Sequence, residues 1–151
     1  MDKKELIVTA LENGTVIDHI PASKLFKIVS ILGLDRVDNR VTIGNNLESK
    51  RMGHKGVIKV ADRFFQPEEI SKIALLAPSA RINIIRNYEV VQKNDLQLPD
   101  QVSDLLQCPN PMCVTNRQPV ASRFDLIDRQ RCLLRCHYCE RTLPLAEITL
   151  K

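Results

Sequence analysis

The chain has 151 residues, 44% of them hydrophobic, and a formal net charge of +4 from 22 lysines and arginines against 18 aspartates and glutamates. That length and apolar share support one compact domain or two small ones and exclude an intrinsically disordered tail. No run approaches the roughly 20 apolar residues of a membrane helix, and the charged start, Met1 to Glu5, has no apolar signal region after it, so a cytoplasmic protein away from membranes is expected.

In chain order, Leu6 to Leu11 and Thr15 to Ile20 are β-prone runs separated by Asn13-Gly14, and they predict two strands or one bent strand. Pro21 opens a predicted helix whose buried face is Leu25, Phe26, Val29 and Leu32, with Gly33 as its C-terminal cap. Val41 to Leu47 and Val57 to Ala61 predict two strands of a hairpin, joined by a long polar loop from Glu48 to Gly56. Pro67, Glu68 and Glu69 form the first turn of a second helix, with Ile70, Ile73, Ala74 and Ala77 on its buried face as far as Pro78. Ala80 to Ile85 and Tyr88 to Val91 predict the closing strands. Strand, helix, strand, strand, helix, strand is the split βαβ order, so the expected class is α+β, with a ferredoxin-like first domain carrying two helices on one face of an antiparallel sheet. Its unpaired edge strands predict at least a dimer, with a second copy covering one edge.

From Lys93 to Asp104 the apolar periodicity lapses, and Asn94, Asp95, Pro99 and Asp100 mark a junction between domains at 1–96 and 97–151. All five cysteines fall between 108 and 139. An odd count without an export signal argues for a metal site rather than a disulfide framework. Cys108 and Cys113 are separated by four residues, Cys136 and Cys139 by two, and twenty-two lie between the pairs. Two short turns carrying two thiolates each make the tetrahedral set of a structural zinc, with Pro109, Asn110 and Pro111 reversing the first turn and Arg135 and Arg141 placed to offset the charge. Four thiolates leave no open position for water, so the zinc is expected to be structural. His137 lines the second turn, and Cys132 is expected to be a small buried hydrophobe. A redox pair at Cys136 and Cys139 would want a helix start that the surrounding sequence lacks. Strands at Arg123 to Ile127 and Arg131 to Leu134 would complete a small zinc-bound β domain that unfolds without its metal.

No phosphate loop, serine elbow or zinc-protease motif occurs, and the chain is expected not to be an enzyme. What stands out in the first domain is Asp18-His19 near a strand end, with Lys55, Lys59 and Lys93 on or beside neighbouring strands. Lys55 and Lys59 are four apart, and on a strand they face one side, where two ammonium groups repel unless an anion lies between them. Solvated surface lysines are the plainer alternative.

These residues carry a resemblance over nearly the whole chain. Gly14-Thr-Val-Ile-Asp-His-Ile-Pro-Ala22, Val41-Thr-Ile-Gly44, Met52-Gly53, Lys55, Ile58-Lys59, Ala77-Pro78, Asn87-Tyr-Glu-Val-Val91, Cys108-Pro-Asn110 and Tyr138-Cys-Glu140 resemble the regulatory chain of aspartate carbamoyltransferase. The resemblance implies a non-catalytic subunit of pyrimidine biosynthesis that forms homodimers and joins catalytic trimers. It implies that ATP and CTP, with UTP as a further candidate, compete for a site in the first domain, while the zinc domain contacts the catalytic chain. Residue by residue, the family's nucleotide pocket falls on Val8, Leu11, Val16, Asp18, His19, Lys55, Lys59, Asn83, Ile85, Tyr88, Val90 and Lys93. Lys93 and its neighbours would take the triphosphate, Lys59 the ribose or phosphate region, and the strand around Leu11 the base. Arg51, His54, Gly56 and Thr9 depart from the family pattern and bear on effector preference.

Two other classes fit the sequence less well. A zinc-ribbon protein whose ferredoxin-like domain binds RNA would expose two or three aromatics on central strands, yet Phe26, Phe64, Phe65, Tyr88, Phe124 and Tyr138 are scattered, and aromatics are 4% of the chain. A zinc deaminase would need a glutamate two residues after a ligand histidine, and neither His19, His54 nor His137 has one.

Overall fold

The computed structural model describes residues 11–151, in two compact units, one ending at Gln97 and the other spanning Leu98–Lys151. Leu6 to Ala10, all but the last residue of the opening β-prone run, lie outside the described residues.

Unit 1 begins with β1 (Gly14–Ile20), followed by α1 (Leu25–Ile31), β2 (Val41–Ser49), β3 (Gly53–Ala61), α2 (Pro67–Leu76), β4 (Arg81–Arg86) and β5 (Glu89–Asp95). The sheet order is β2-β3-β1-β4-β5 and every pairing is antiparallel. The first four strands and both helices are the predicted split βαβ arrangement, and β5 adds a fifth strand at the edge. Period-2 alternation sorts the strands into two faces. Ile17, Ile58, Val60 and Ile82 point to one side, where Leu25, Ile28 and Leu32 of α1 and Ile73, Ala74 and Ala77 of α2 close the main core over them. The intervening residues face the other side of the sheet, where Leu11, Val16, Val57, Ala61 and Ile85 form a smaller apolar cluster.

The local signals that succeed are those with a backbone cause. Pro67 opens α2, and the Glu69 carboxylate accepts the Gln66 N–H at 3.1 Å, satisfying a donor at the helix start. Gly14 sits at φ 144°, and a Cβ there would lie 2.1 Å from the Val60 carbonyl oxygen, so only glycine lets β1 and β3 meet.

Four expectations need correction. Helix α1 starts at Leu25, after a turn rather than at Pro21, and buries Ile28 while Phe26 is 65% exposed, because the core lies over Leu25, Ile28 and Leu32 at three-to-four spacing. The expected polar loop from Glu48 to Gly56 is mostly strand: β2 and β3 pair as far as Ser49 opposite Gly53, leaving a tight turn at Lys50 to Met52. Gly56 belongs to β3, where a Cβ would stand 2.3 Å from Leu25 Cδ1; close helix approach, not a turn, explains this glycine. Finally, Lys93 to Asp95 are not linker but the end of β5, held by pairing to Arg81–Asn83.

Unit 2 contains β6 (Gln101–Ser103), β7 (Leu106–Gln107), α3 (Val114–Arg117), β8 (Arg123–Asp128), β9 (Leu133–Cys136), β10 (Thr142–Pro144) and β11 (Thr149–Leu150). A four-stranded sheet runs β10-β9-β8-β6, and β11 pairs with β7. Arg131 and Cys132 stand in the turn before β9 rather than in the strand, and Leu145–Glu147 is a 3-10 turn. Phe124, Leu134 and Cys136 have no exposed surface, and Val102 and Leu106 almost none, so the apolar centre is small and shared with the sulfurs.

Candidate metal centre and candidate binding face

In unit 2 the four sulfurs of Cys108, Cys113, Cys136 and Cys139 all lie within 4.8 Å of one another. Cys108 and Cys139 stand 3.7 Å apart, as do Cys113 and Cys136. Tetrahedral Zn–S bonds of about 2.3 Å put sulfurs about 3.8 Å apart, so the cluster has the size of a zinc site. Asn110 makes the first turn by accepting the Met112 N–H on Oδ1 at 3.0 Å, while its carbonyl accepts the Cys113 N–H at 3.0 Å. The second turn closes when the Glu140 N–H donates to the Cys136 carbonyl at 2.9 Å.

The electrostatics favour a cation at the centre. Burial pushes the Cys108 thiol up to about 12 and raises that of Cys136. Burial acts in the same sense on Cys139, but hydrogen bonds from the Arg141 backbone, the Asn110 side chain and the neighbouring thiols outweigh it and bring it to about 7. Backbone N–H groups of Asn110, Tyr138, Cys139 and Arg141 are thus directed at sulfur, the arrangement that stabilises ligated thiolates. Arg141 contributes through its backbone.

His137 is outside the cluster: its ring faces Asp125, 3.8 Å from Nδ1, and stacks edge-on against Tyr138. Cys132 is also outside, with its sulfur 3.7 Å from the Arg129 carbonyl; it is half-buried in a turn at φ 51° rather than a buried hydrophobe. Two residues not singled out from the sequence support the centre. Asn116 Nδ2 donates to the carbonyls of Cys108 and Asn110, both at 2.7 Å, and the Thr115 hydroxyl lies 3.1 Å from the Cys113 sulfur. Their only sequence signal is a polar pair just past the second cysteine.

In unit 1 the face opposite the helices gathers residues from distant parts of the chain. The pairing registers draw one row across the sheet, Thr42, Lys59, Val16, Asn83 and Lys93. Two residues toward one end, about 7 Å along the strands, Ala61, Gly14, Ile85 and Val90 form the next row, with Leu11 packed into the same apolar cluster. Toward the other end, Arg81 stands opposite both Asp18 and Asp95. A bulge between Ile17 and Ile20, with His19 at φ 57°, turns Asp18 toward Lys55, whose Nζ is 3.0 Å from Asp18 Oδ1.

The cationic end is electrostatically primed. Burial lowers the Lys59 pKa, partly countered by Asp18. Burial also lowers that of His19; Asp18 opposes this, while Lys55, Arg51 and Arg81 add to the lowering. Among the described residues, His19 Nδ1 and Asn83 Oδ1 are buried without a hydrogen-bond partner. Desolvated cations and unsatisfied polar atoms on one open face are what a polar anionic ligand relieves.

Of the residues singled out from the sequence, Leu11 and Ile85 form the apolar end, Lys59, Val16, Asn83 and Lys93 the middle row, and Asp18, His19 and Lys55 the far end. Tyr88 is 66% exposed in a turn, tied back by its N–H to the Glu12 carbonyl at 2.9 Å, and Val90 faces the same side as Ile85. Val8 lies outside the described residues. Sequence reasoning missed Val57 and Ala61, the alternate partners of Lys55 and Lys59 on β3, and the Arg81–Asp95 pair at 2.6 Å. No aromatic side chain belongs to the rows of this face, and Phe65 and Phe124 are buried, which disfavours an RNA-stacking platform. Among the described residues no helix is long and apolar enough to cross a membrane.

Comparison with known proteins gives two matches along the chain. Residues 6–97 match the family described as aspartate carbamoyltransferase regulatory chain, allosteric domain, and residues 100–149 match the metal binding domain of the same chain. The chain is similar to the aspartate carbamoyltransferase regulatory chain of Parabacteroides distasonis, 54% identical over 149 residues, 99% of this chain and 97% of the relative. It is likewise similar to that of Porphyromonas gingivalis, 54% identical over 150 residues and 99% of both chains. The regulatory chain of Pyrococcus horikoshii is 47% identical over 146 residues, 95% of this chain and 96% of the relative.

Proposed function

Because the chain belongs to the family of aspartate carbamoyltransferase regulatory chains, we propose that it is a non-catalytic subunit whose residues 1–96 bind nucleotide effectors and whose residues 97–151, built around one structural zinc, contact the catalytic chain. ATP and CTP, and UTP as a further effector, share the open face of unit 1. Two regulatory chains pair as a homodimer, and the assembly works in the cytoplasm in pyrimidine biosynthesis, with no part in nucleic-acid or membrane binding.

The observation that carries the nucleotide reading is the ordering of chemistry along one sheet face. An apolar floor of Leu11, Ala61 and Ile85 lies about two residues along the strands from the row Lys59, Val16, Asn83 and Lys93, and Val16 packs against it. Lys55, Asp18 and His19 lie further on the same side. The base rests on the floor, the ribose and first phosphates meet Lys59 and Lys93, and the unpaired Asn83 Oδ1 accepts a ribose hydroxyl. Regulation then needs only unequal affinity for two states of the assembly, typically worth about 1–3 kcal/mol.

Zinc bound by unit 2 would supply folding free energy to that unit, and four thiolate ligands would leave the ion no reactive position. Cys108, Cys113, Cys136 and Cys139 would hold it, and Asn116 and Thr115 fix the first turn around it.

The test is calorimetric titration of CTP into the full zinc-loaded chain, then ATP against bound CTP, repeated for Lys59→Ala and Lys93→Ala. Competition, and a loss of about tenfold or more in each variant, is expected of a charge-assisted contact. Unchanged affinity in both variants returns these lysines to surface charge. Co-purification of the native protein with a carbamoyltransferase catalytic chain tests the partner.

A further inference from the structure

The four cysteines of unit 2 are not equally sheltered. Cys108 and Cys113 are 2% exposed and Cys136 not at all, whereas Cys139 is half-buried, between exposed Tyr138 and Glu140. The fold explains the difference. Cys136 ends β9 opposite Phe124, in the sheet, and the first cysteine turn is tied down by Asn116 and Thr115. Cys139 stands past the end of β9, in the turn that the Glu140 N–H closes. This least buried member of the set also has a partner at hand, since its sulfur lies 3.7 Å from that of Cys108. A disulfide needs about 2.05 Å, so the two sulfurs must close by about 1.7 Å, within reach of a side chain in a turn. Cys113 and Cys136 make the matching 3.7 Å contact, but both residues are sealed inside.

Building on the zinc centre and the catalytic-chain contact proposed above, we infer that Cys139 and Cys108 form a redox switch: a hydroperoxide joins them in a disulfide, the metal leaves, and the chain lets go of its catalytic partner. Metal ligation requires both cysteines as thiolates, which is also the form that reacts with peroxide. The Cys139 thiolate attacks one peroxide oxygen; the S–O bond forms as the O–O bond breaks, and the departing hydroxide or alkoxide takes a proton from water. The Cys108 thiolate then attacks the sulfenic sulfur, the S–S bond forms and hydroxide leaves. The two thiolates lose two electrons in all, and the peroxide gains them. Buried Cys113 and Cys136 remain, too few for a structural tetrahedron, so unit 2 loses the metal its folding depends on. Cys132 is half-buried too, but its sulfur faces the Arg129 carbonyl outside the cluster, with no thiolate of the ligand set beside it to complete the second step. A thiol reductant reverses the disulfide by exchange.

The experiment treats the full zinc-loaded chain, alone and in complex with the catalytic chain, with hydrogen peroxide. Zinc content is measured first; zinc release to a chromogenic chelator, disulfides by peptide mass mapping, and sedimentation are read afterwards. Zinc should leave with about one equivalent of peroxide, and the first disulfide should join Cys108 to Cys139. The complex should come apart and re-form when dithiothreitol and zinc are added. Cys132→Ser should behave as the unsubstituted chain. Cys139→His keeps a three-cysteine, one-histidine set of the kind that holds structural zinc but removes the open thiolate, so peroxide-driven release should slow about tenfold or more. Where that variant does not load zinc, the disulfide map of the unsubstituted chain decides alone. A first disulfide between any other pair, equally fast release from zinc-loaded Cys139→His, or a complex that stays intact under peroxide overturns the inference and leaves the zinc centre standing. A chain that holds no zinc before treatment overturns both.

Discussion

Replacing Cys136 by serine tests the zinc centre most directly. Cys136 is fully buried at the end of β9, its sulfur 3.7 Å from that of Cys113, and its N–H donates to the Arg141 carbonyl at 3.0 Å. Structural zinc is worth about 10–16 kcal/mol of folding free energy, so one ligand in four carries about 2.5–4 kcal/mol, or two to three decades of zinc affinity. That share is a large part of the total stability of a small domain, about 5–15 kcal/mol. Unit 2 of Cys136→Ser should therefore unfold at chelator concentrations that leave the unsubstituted protein intact. Amide exchange read by residue is the assay. Protection at Phe124 and Leu134 should collapse, while Ile17 and Ile58, in the core of unit 1, keep theirs. Cys132→Ser is the control, because the Cys132 sulfur faces the Arg129 carbonyl at 3.7 Å and lies outside the cluster. Loss of zinc from Cys132→Ser comparable to that from Cys136→Ser would refute the ligand assignment. Full protection of unit 2 after complete chelation would refute the role of metal in its folding.

Asn116→Ala removes two 2.7 Å hydrogen bonds to the carbonyls of the first cysteine turn, so zinc release to a chromogenic chelator should quicken, with about 1–3 kcal/mol lost from unit 2 in denaturant titrations. Ile58→Ala opens a cavity beneath both helices and should cost unit 1 about 2–5 kcal/mol in a chemical denaturation curve, with zinc content unchanged. The pH dependence of CTP binding follows from His19. Burial and the cations of Lys55, Arg51 and Arg81 hold its pKa below the usual value, whereas a bound polyanion neutralises those cations and raises it. Binding then takes up a proton, and affinity should rise as pH falls through the histidine range; titrations in buffers of different ionisation enthalpy read the proton count. In His19→Gln that uptake should vanish, and a persistent uptake would assign it elsewhere.

The sequence by itself determined whatever depends on near neighbours. The cysteine spacings specify two turns, and Asn110, Cys113 and Glu140 close them with bonds spanning two to four residues. The proline and glutamates of α2 act within one helical turn, and the order of β-prone and helical runs was enough for the split βαβ arrangement. Such signals survive in any context because both partners lie in the same short segment. Tertiary structure decided the rest. Helix α1 could have buried Phe26 or Ile28 by periodicity alone, and the position of the sheet chose Ile28. The hairpin of β2 and β3 extends through polar residues because pairing satisfies their backbone groups, which side-chain polarity does not report. Lys59, Asn83 and Lys93 share a row only because β3, β1, β4 and β5 pair in one register, and a shift of a single residue would turn each to the opposite face.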